Sequence, residues 1–207
     1  MVGSIMADSK VEGSLPKGAI SFLENWYKEK VTGEQSFKGN KYTKKGWAVE
    51  DEAIDDYQYD TGYFGLVKNE VFYGNEFTQG TPDVLVGDDL VVDIKSPWSL
   101  KTFSKYAEYV PTERYPAPNA NYFWQLQAYM WVTDRVKAEL AYVLMNTPKY
   151  LMAYNDVWED YEGTMDLEKR VKTFAFPRSN SHISRIEKRV KLCREYLKAE
   201  IIGQRSY

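Results

Sequence analysis

The chain has 207 residues, a formal net charge of −3, 43% hydrophobic and 28% charged residues, the make-up of a globular protein with enough chain for one proper core. No apolar run approaches the roughly 18 residues that a membrane span needs, and residues 1–14 hold no apolar segment of the kind a secretion signal requires. The single cysteine, Cys193, excludes an internal disulfide, a CxxC zinc site and a cysteine-held iron–sulfur cluster, so a reducing, cytoplasmic setting is expected.

Residues 1–14 read as a flexible arm and 15–207 as a single domain. Pro16 opens a first helix, with Ile20, Leu23, Tyr27 and Val31 recurring at three- and four-residue intervals. After a polar loop, Thr43 is the expected cap of one helix running to Tyr59. Its buried side is Ala48, Val49, Ala53, Ile54 and Tyr57, and it carries the acids Glu50, Asp51, Glu52, Asp55 and Asp56.

The pattern then turns to β. Strands are expected over 63–68 and 71–78, and a second pair over 82–86 and 90–95 joined by the turn Gly87-Asp88-Asp89. A helix over 99–109, a three-proline loop over 111–119 and a helix over 121–133 follow. Next come an apolar strand at 138–145, an acidic insert at 155–166, a strand at 170–176 and a closing helix at 179–202. This order predicts an α/β fold, a mixed central sheet flanked by helices, with a core over about 43–146 and a basic strand–helix ending at 168–202.

Charge is unevenly spread. Between Leu167 and Tyr207 there are eleven Lys/Arg against four Asp/Glu, which leaves the rest of the chain with an excess of ten acids. An acidic body with a basic ending suits a protein that gathers carboxylates around metals and grips phosphate elsewhere; a solvated helix rich in lysine is the alternative. The 17 Tyr and 6 Trp can stack on bases but more commonly fill cores and interfaces. His182 is the sole histidine, which leaves Ser/His catalysis little to work with, and it is expected at the surface where the last helix starts. Cys193 falls in the apolar register of that helix with Ile186 and Val190.

The stretch richest in chemistry is Gly80-Thr-Pro-Asp83, nine residues, then Asp93-Ile94-Lys95. Side chains alternate along a strand, so Asp93 and Lys95 share a face while Ile94 points to the opposite core. The turn at Gly87–Asp89 folds the preceding strand back and brings Asp83 beside Asp93. Adjacent carboxylates repel and are costly to desolvate. A hard divalent cation, Mg²⁺ or Mn²⁺, removes that cost, polarises a phosphodiester and acidifies water. Lys95 is then available to hold the water or neutralise charge growing on phosphorus.

This pattern resembles the PD-(D/E)XK nuclease superfamily, and two flanking runs are similar to its lambda-exonuclease-like (viral YqaJ-type recombinase) branch. One is Lys45-Gly46-Trp-Ala-Val-Glu50-Asp-Glu-Ala53; the other is Tyr122-Phe-Trp-Gln125-Leu-Gln127-Ala-Tyr129-Met130-Trp-Val-Thr133. The ending, Lys172 to Phe176 and Ile183 to Val190, fits the same branch, so the likeness runs over about residues 40–200 with the acidic insert unmatched.

The resemblance implies a restriction-endonuclease-like core and a metal site of Glu50 (Glu52 the alternate), Asp83, Asp93 and the Ile94 carbonyl, holding two Mg²⁺ with Mn²⁺ as substitute. It makes Asp83, Asp93, Lys95, Glu50, Gln125 and Tyr122 the catalytic set, with Gln125 next to the attacking water, the lysine or a metal-bound group. Gln127 is expected to be structural. Asp93 stands where close relatives often have Glu. DNA-contact candidates are Lys41, Lys44, Lys45, Arg114, Arg185, Lys188, Arg189 and Lys191.

The implied activity is Mg²⁺-dependent digestion of linear double-stranded DNA from its ends, 5′ to 3′, in phage-type recombination. Expected partners are DNA ends, a single-strand annealing protein, and further copies of the chain in a ring-shaped trimer. A structure-selective endonuclease and a RecB-like single-strand nuclease stay open on the same fold. The iron–sulfur variety lacks its cysteines and a motor-linked one its phosphate loop. A catalytically silent DNA-binding module is the non-enzymatic alternative, set against the presence of Asp83, Asp93 and Lys95 together.

Overall fold

The structure, a computed structural model, describes residues 2–11, 13–35, 38–103 and 119–203. Arg114, the loop expected at 111–119 and most of the helix expected at 99–109 lie outside the described residues, apart from a single 3-10 turn at Leu100–Thr102 and the start of the helix that follows. No helix among the described residues is long and apolar enough to cross a membrane.

Helix α1 (Lys17–Thr32) starts after Pro16 and stops at Gly33, whose φ of 74° supplies the left-handed cap. The single helix expected over 43–59 is two, α2 (Lys41–Ala48) and α3 (Glu50–Thr61). Asn40, not Thr43, caps α2 by accepting from the amides of Tyr42 and Thr43. Val49 breaks the run at φ −118°, ψ 12° with its side chain buried in the core, and Glu50 thereby opens a new helix.

The strands expected at 63–68 and 71–78 shrink to a hairpin of β1 (Tyr73–Gly74) and β2 (Gln79–Gly80) plus one bridge from Lys68 to Val84. Phe64, Val67, Val71 and Phe72 are exposed there, so their β-like pattern finds no layer to pack against. The main sheet has the order β3 (Val84–Val86), β4 (Leu90–Lys95), β5 (Lys137–Val143), β6 (Val171–Pro177). β3–β4 and β5–β6 are antiparallel and β4–β5 parallel, the mixed sheet expected. The sheet is flanked by helices. The remaining helices are α4 (Asn119–Val132), the short α5 (Tyr161–Thr164) and α6 (Leu167–Arg170), and α7 (Asn180–Tyr196), which ends in π-helical turns.

Alternation along β4 divides the interior in two. Val91 belongs to the cluster under α4, with Phe123, Leu126 and Leu140, while Val92 and Ile94 belong to the cluster under α3, with Ala53, Ile54 and Tyr57. Residues 2–6 depart from the flexible arm expected. Val2–Ile5 forms a 3-10 turn, Ile5 and Met6 are 6% and 4% exposed in the α4 cluster, and Arg189 donates to the carbonyls of Ile5 and Ala7. The apolar pair Ile5-Met6 is what binds the segment: it buries against α4 more favourably than it stays in water. The acidic insert also docks, with Tyr161 buried and its hydroxyl accepting from the Leu100 amide at 3.0 Å.

Candidate active site

Antiparallel pairing sets Val84 opposite Val92, and one further step of that register sets Asp83 opposite Asp93. Asp83 Oδ2 accepts from the Ile94 amide at 2.6 Å. Asp93 is fully buried, and Lys95, on the same face two residues on, brings Nζ to 2.5 Å from Asp93 Oδ2 and 3.4 Å from the Ile94 carbonyl. The two carboxylates and the ammonium do converge on one sheet face.

Asp83 and Lys95 are strongly perturbed in their charge. Burial and the neighbouring Asp93 push Asp83 up to about 7, with the Lys95 ammonium and the Ile94 amide pulling the other way and Glu50 adding to the rise. Burial opposes the charge on Lys95, but Asp93 and Asp83 outweigh it and hold the ammonium well above the ordinary lysine range. Lys95 is therefore a fixed cation here.

Helix α4 lays Tyr122, Gln125 and Tyr129 against this face at helical spacing. Gln125 Nε2 donates to Asp93 Oδ1 at 3.2 Å and to the Tyr129 hydroxyl at 2.8 Å. The Tyr122 ring lies 5.2 Å from Lys95 Nζ, a cation–π contact. Gln127 points away, donating to Pro177 O and accepting from the Ser179 amide, a tie to the start of α7.

Glu50, first residue of α3, acts electrostatically on Asp83, but its carboxylate is held by Lys68 at 2.7 Å. Among the described residues no three His, Cys, Asp or Glu side chains converge closely enough to form a complete metal cage. Asp83 and Asp93 still fit a divalent cation on their chemistry. They are paired hard-oxygen donors, and Asp93 Oδ2 is buried without a directed hydrogen bond although Lys95 is within ion-pair distance. Glu50, held by Lys68, would join them only by exchanging that lysine for the cation, and the Ile94 carbonyl would be a further oxygen.

The DNA-contact candidates fare differently. Lys45 is not on the surface at all: it is fully buried, and its ammonium donates to Pro97 O at 2.6 Å, Trp98 O at 3.2 Å and Met145 O at 2.7 Å. These carbonyls leave β4 and β5, so the helix before Glu50 is pinned to the exit of the strand that carries Lys95. Arg189 is spent on the N-terminal carbonyls, and Lys191 pairs with Glu187 at 2.5 Å. Arg185 stacks on Trp124 at 4.9 Å and Lys41 on Trp98 at 4.5 Å, the latter also pairing with Asp156. Lys44 and Lys188 are exposed. His182 is half-buried, edge-on to Phe123 and Trp124, rather than a plain surface residue, because those rings offer it an aromatic shelf.

Three residues near the site were not singled out for their roles from sequence. Tyr129 had a usable signal, since it lies four residues after Gln125 on one helix face. Lys68 and Lys45 had none, because their partners are distant in the chain.

Residues 17–136 match the YqaJ-like viral recombinase domain family. Among solved structures, the chain is similar to a phage-related exonuclease from Haemophilus somnus 129PT, with 28% identity over 98% of this chain and 93% of that one and a TM-score of 0.87. It shares its fold with an alkaline exonuclease from Laribacter hongkongensis, at 19% identity over 98% and 88% of the two chains and a TM-score of 0.64, and with that enzyme's complex with dAMP. No curated protein matches the sequence significantly. With more than half its length matched by the family and its site residues converging on one sheet face, the chain belongs to the YqaJ-like viral recombinase family and has the restriction-endonuclease-like fold of the PD-(D/E)XK nucleases.

Proposed function

We propose that the protein is a divalent-cation-dependent deoxyribonuclease that digests linear duplex DNA from its ends, 5′ to 3′. The observation that carries this reading is the Asp83–Asp93–Lys95 cluster, in which paired carboxylates lie directly against a lysine held in its charged form. A solely structural cluster of this kind is costly, because desolvation and like-charge repulsion add together. The family, and the exonuclease names carried by similar structures, support the same reading.

Asp83 and Asp93, with the Ile94 carbonyl and Glu50, are the groups to hold Mg²⁺ or Mn²⁺. Such an ion, when bound, supplies positive charge to the phosphodiester and makes nearby water more acidic. Lys95 keeps its ammonium oriented by Asp93 and offers it to the charge that grows on phosphorus. Gln125 orients the attacking water from the α4 side, and Tyr122 packs over Lys95 and limits its motion. The family resemblance adds to this reading a ring of three copies and an annealing protein that takes the exposed strand.

Matched linear and closed-circular duplexes, labelled at one end or one internal position, test the reading in Mg²⁺ and in EDTA. Metal-dependent loss of the linear DNA alone, with mononucleotides released from the 5′ end, is expected. Nicking of the circle would make the enzyme an endonuclease, and release from the 3′ end would reverse the polarity. Absence of any cleavage, with DNA still bound, would leave a binding module.

A further inference from the structure

We infer that Tyr129 is a positioning residue for Gln125, and that Gly80 is the notch that admits its ring, a role whose catalytic consequence rests on the nuclease reading above. The Gln125 amide nitrogen has two hydrogens. One goes to Asp93 Oδ1 at 3.2 Å and the other to the Tyr129 hydroxyl at 2.8 Å. Asp93 decides which end of the amide faces the sheet, since a carboxylate accepts only from the nitrogen. A single bond of that length leaves the group free to swing about its own axis. The shorter bond to Tyr129 fixes its plane, and with it the direction in which the Gln125 carbonyl oxygen can accept from water.

The Tyr129 ring reaches this position because β2 passes very close to it. A Cβ at Gly80 would lie 2.6 Å from Tyr129 Cε1, nearer than a side chain tolerates. Gly80 opens the Gly80-Thr-Pro-Asp83 run, so the segment that delivers Asp83 to the site also makes room for the residue that aims Gln125. The hydroxyl is a durable partner as well. Burial and the proximity of Asp93 push Tyr129 up to about 12, so it stays protonated at any ordinary working pH.

Two measurements test this together: cleavage of a linear duplex in Mg²⁺, and the side-chain amide resonances of Gln125 by NMR in the metal-free protein. Tyr129→Phe removes one oxygen and keeps the ring. It should lower kcat about tenfold, with KM and the melting temperature unchanged, and shift one Gln125 amide proton. In a Gln125→Ala background the same substitution should add nothing, because its effect passes through Gln125. Gly80→Ala, which presses on the ring, should act in the same direction as Tyr129→Phe.

Full turnover by Tyr129→Phe, multiplication of its effect with that of Gln125→Ala, or unmoved Gln125 resonances would each overturn the inference. If the wild-type protein cleaves nothing, the nuclease reading fails. The amide resonances alone then decide whether Tyr129 holds Gln125.

Discussion

The amide of Ile94 donates to Asp83 Oδ2 at 2.6 Å, so the carboxylate before one strand is fastened to the backbone of the next, between Asp93 and Lys95. That bond holds Asp83 beside Asp93 even though burial and the second carboxylate favour its neutral form. On the proposed reading the cluster is thus set up for a cation at the expense of stability, as active sites often are.

Asp83→Asn should therefore abolish cleavage and stabilise the metal-free protein. A carboxyl raised to about 7 in the folded state binds its proton more tightly there than when unfolded. Its contribution to stability is present below the unfolded value near 3.8 and is lost as pH rises through about 7. In EDTA at pH 8 the asparagine should gain about 1–2 kcal/mol, allowing for the solvent that reaches this half-buried group. Chemical denaturation at pH 5 and pH 8 checks it, and an equal gain at both would refute the charge explanation.

Lys45 gives a pH dependence of the opposite kind. Burial pulls its ammonium down to about 8, with Glu162 opposing. Folding then favours the neutral amine, so stability should rise between about pH 8 and the unfolded value near 10.5. Lys45→Met removes that slope, while also losing three carbonyl contacts. Melting curves of both proteins from pH 7 to pH 10 should show the wild type gaining on the variant as pH rises.

On the proposed reading, in which Glu50 helps hold the metal, Lys68 competes with the cation for it. The pair is partly exposed, and such ion pairs contribute at most about 1 kcal/mol. Lys68→Met should lower the Mn²⁺ concentration needed for half-saturation two- to fivefold, read by calorimetry. Weaker binding in the variant would mean that Glu50 does not join the metal site.

The N-terminal turn is a stability element. Ile5→Ala should cost about 2–4 kcal/mol, as buried isoleucine truncations do. Denaturant unfolding measures it, and a loss below half a kilocalorie would show that residues 2–6 detach readily from α4.

Much of the site can be read locally. Alternation along 90–95 determines that Asp93 and Lys95 share a face, and the tight turn at Gly87–Asp89 determines that the preceding strand folds back, so that Asp83 comes to lie opposite Asp93. The Gln125 helix and the mixed sheet follow from periodicity and element order in the same way. The shared face, the turn and the helix depend on neighbours a few residues apart, which sequence records directly, whereas the mixed sheet is read from the order of the elements.

What sequence could not decide depends on partners distant in the chain. Lys45 looks like a surface lysine beside Lys44 until the carbonyls of Pro97, Trp98 and Met145 close around it. Arg189 has the pattern of a phosphate contact until residues 5–7 lie beneath it. The β-like run at 63–72 stays largely unpaired because no apolar layer covers it. A side chain's type and spacing fix its face on a helix or strand. Only the packed chain decides which backbone oxygens a buried charge will meet, because an unpaired charge is too costly to bury and its partners come from wherever the fold brings them.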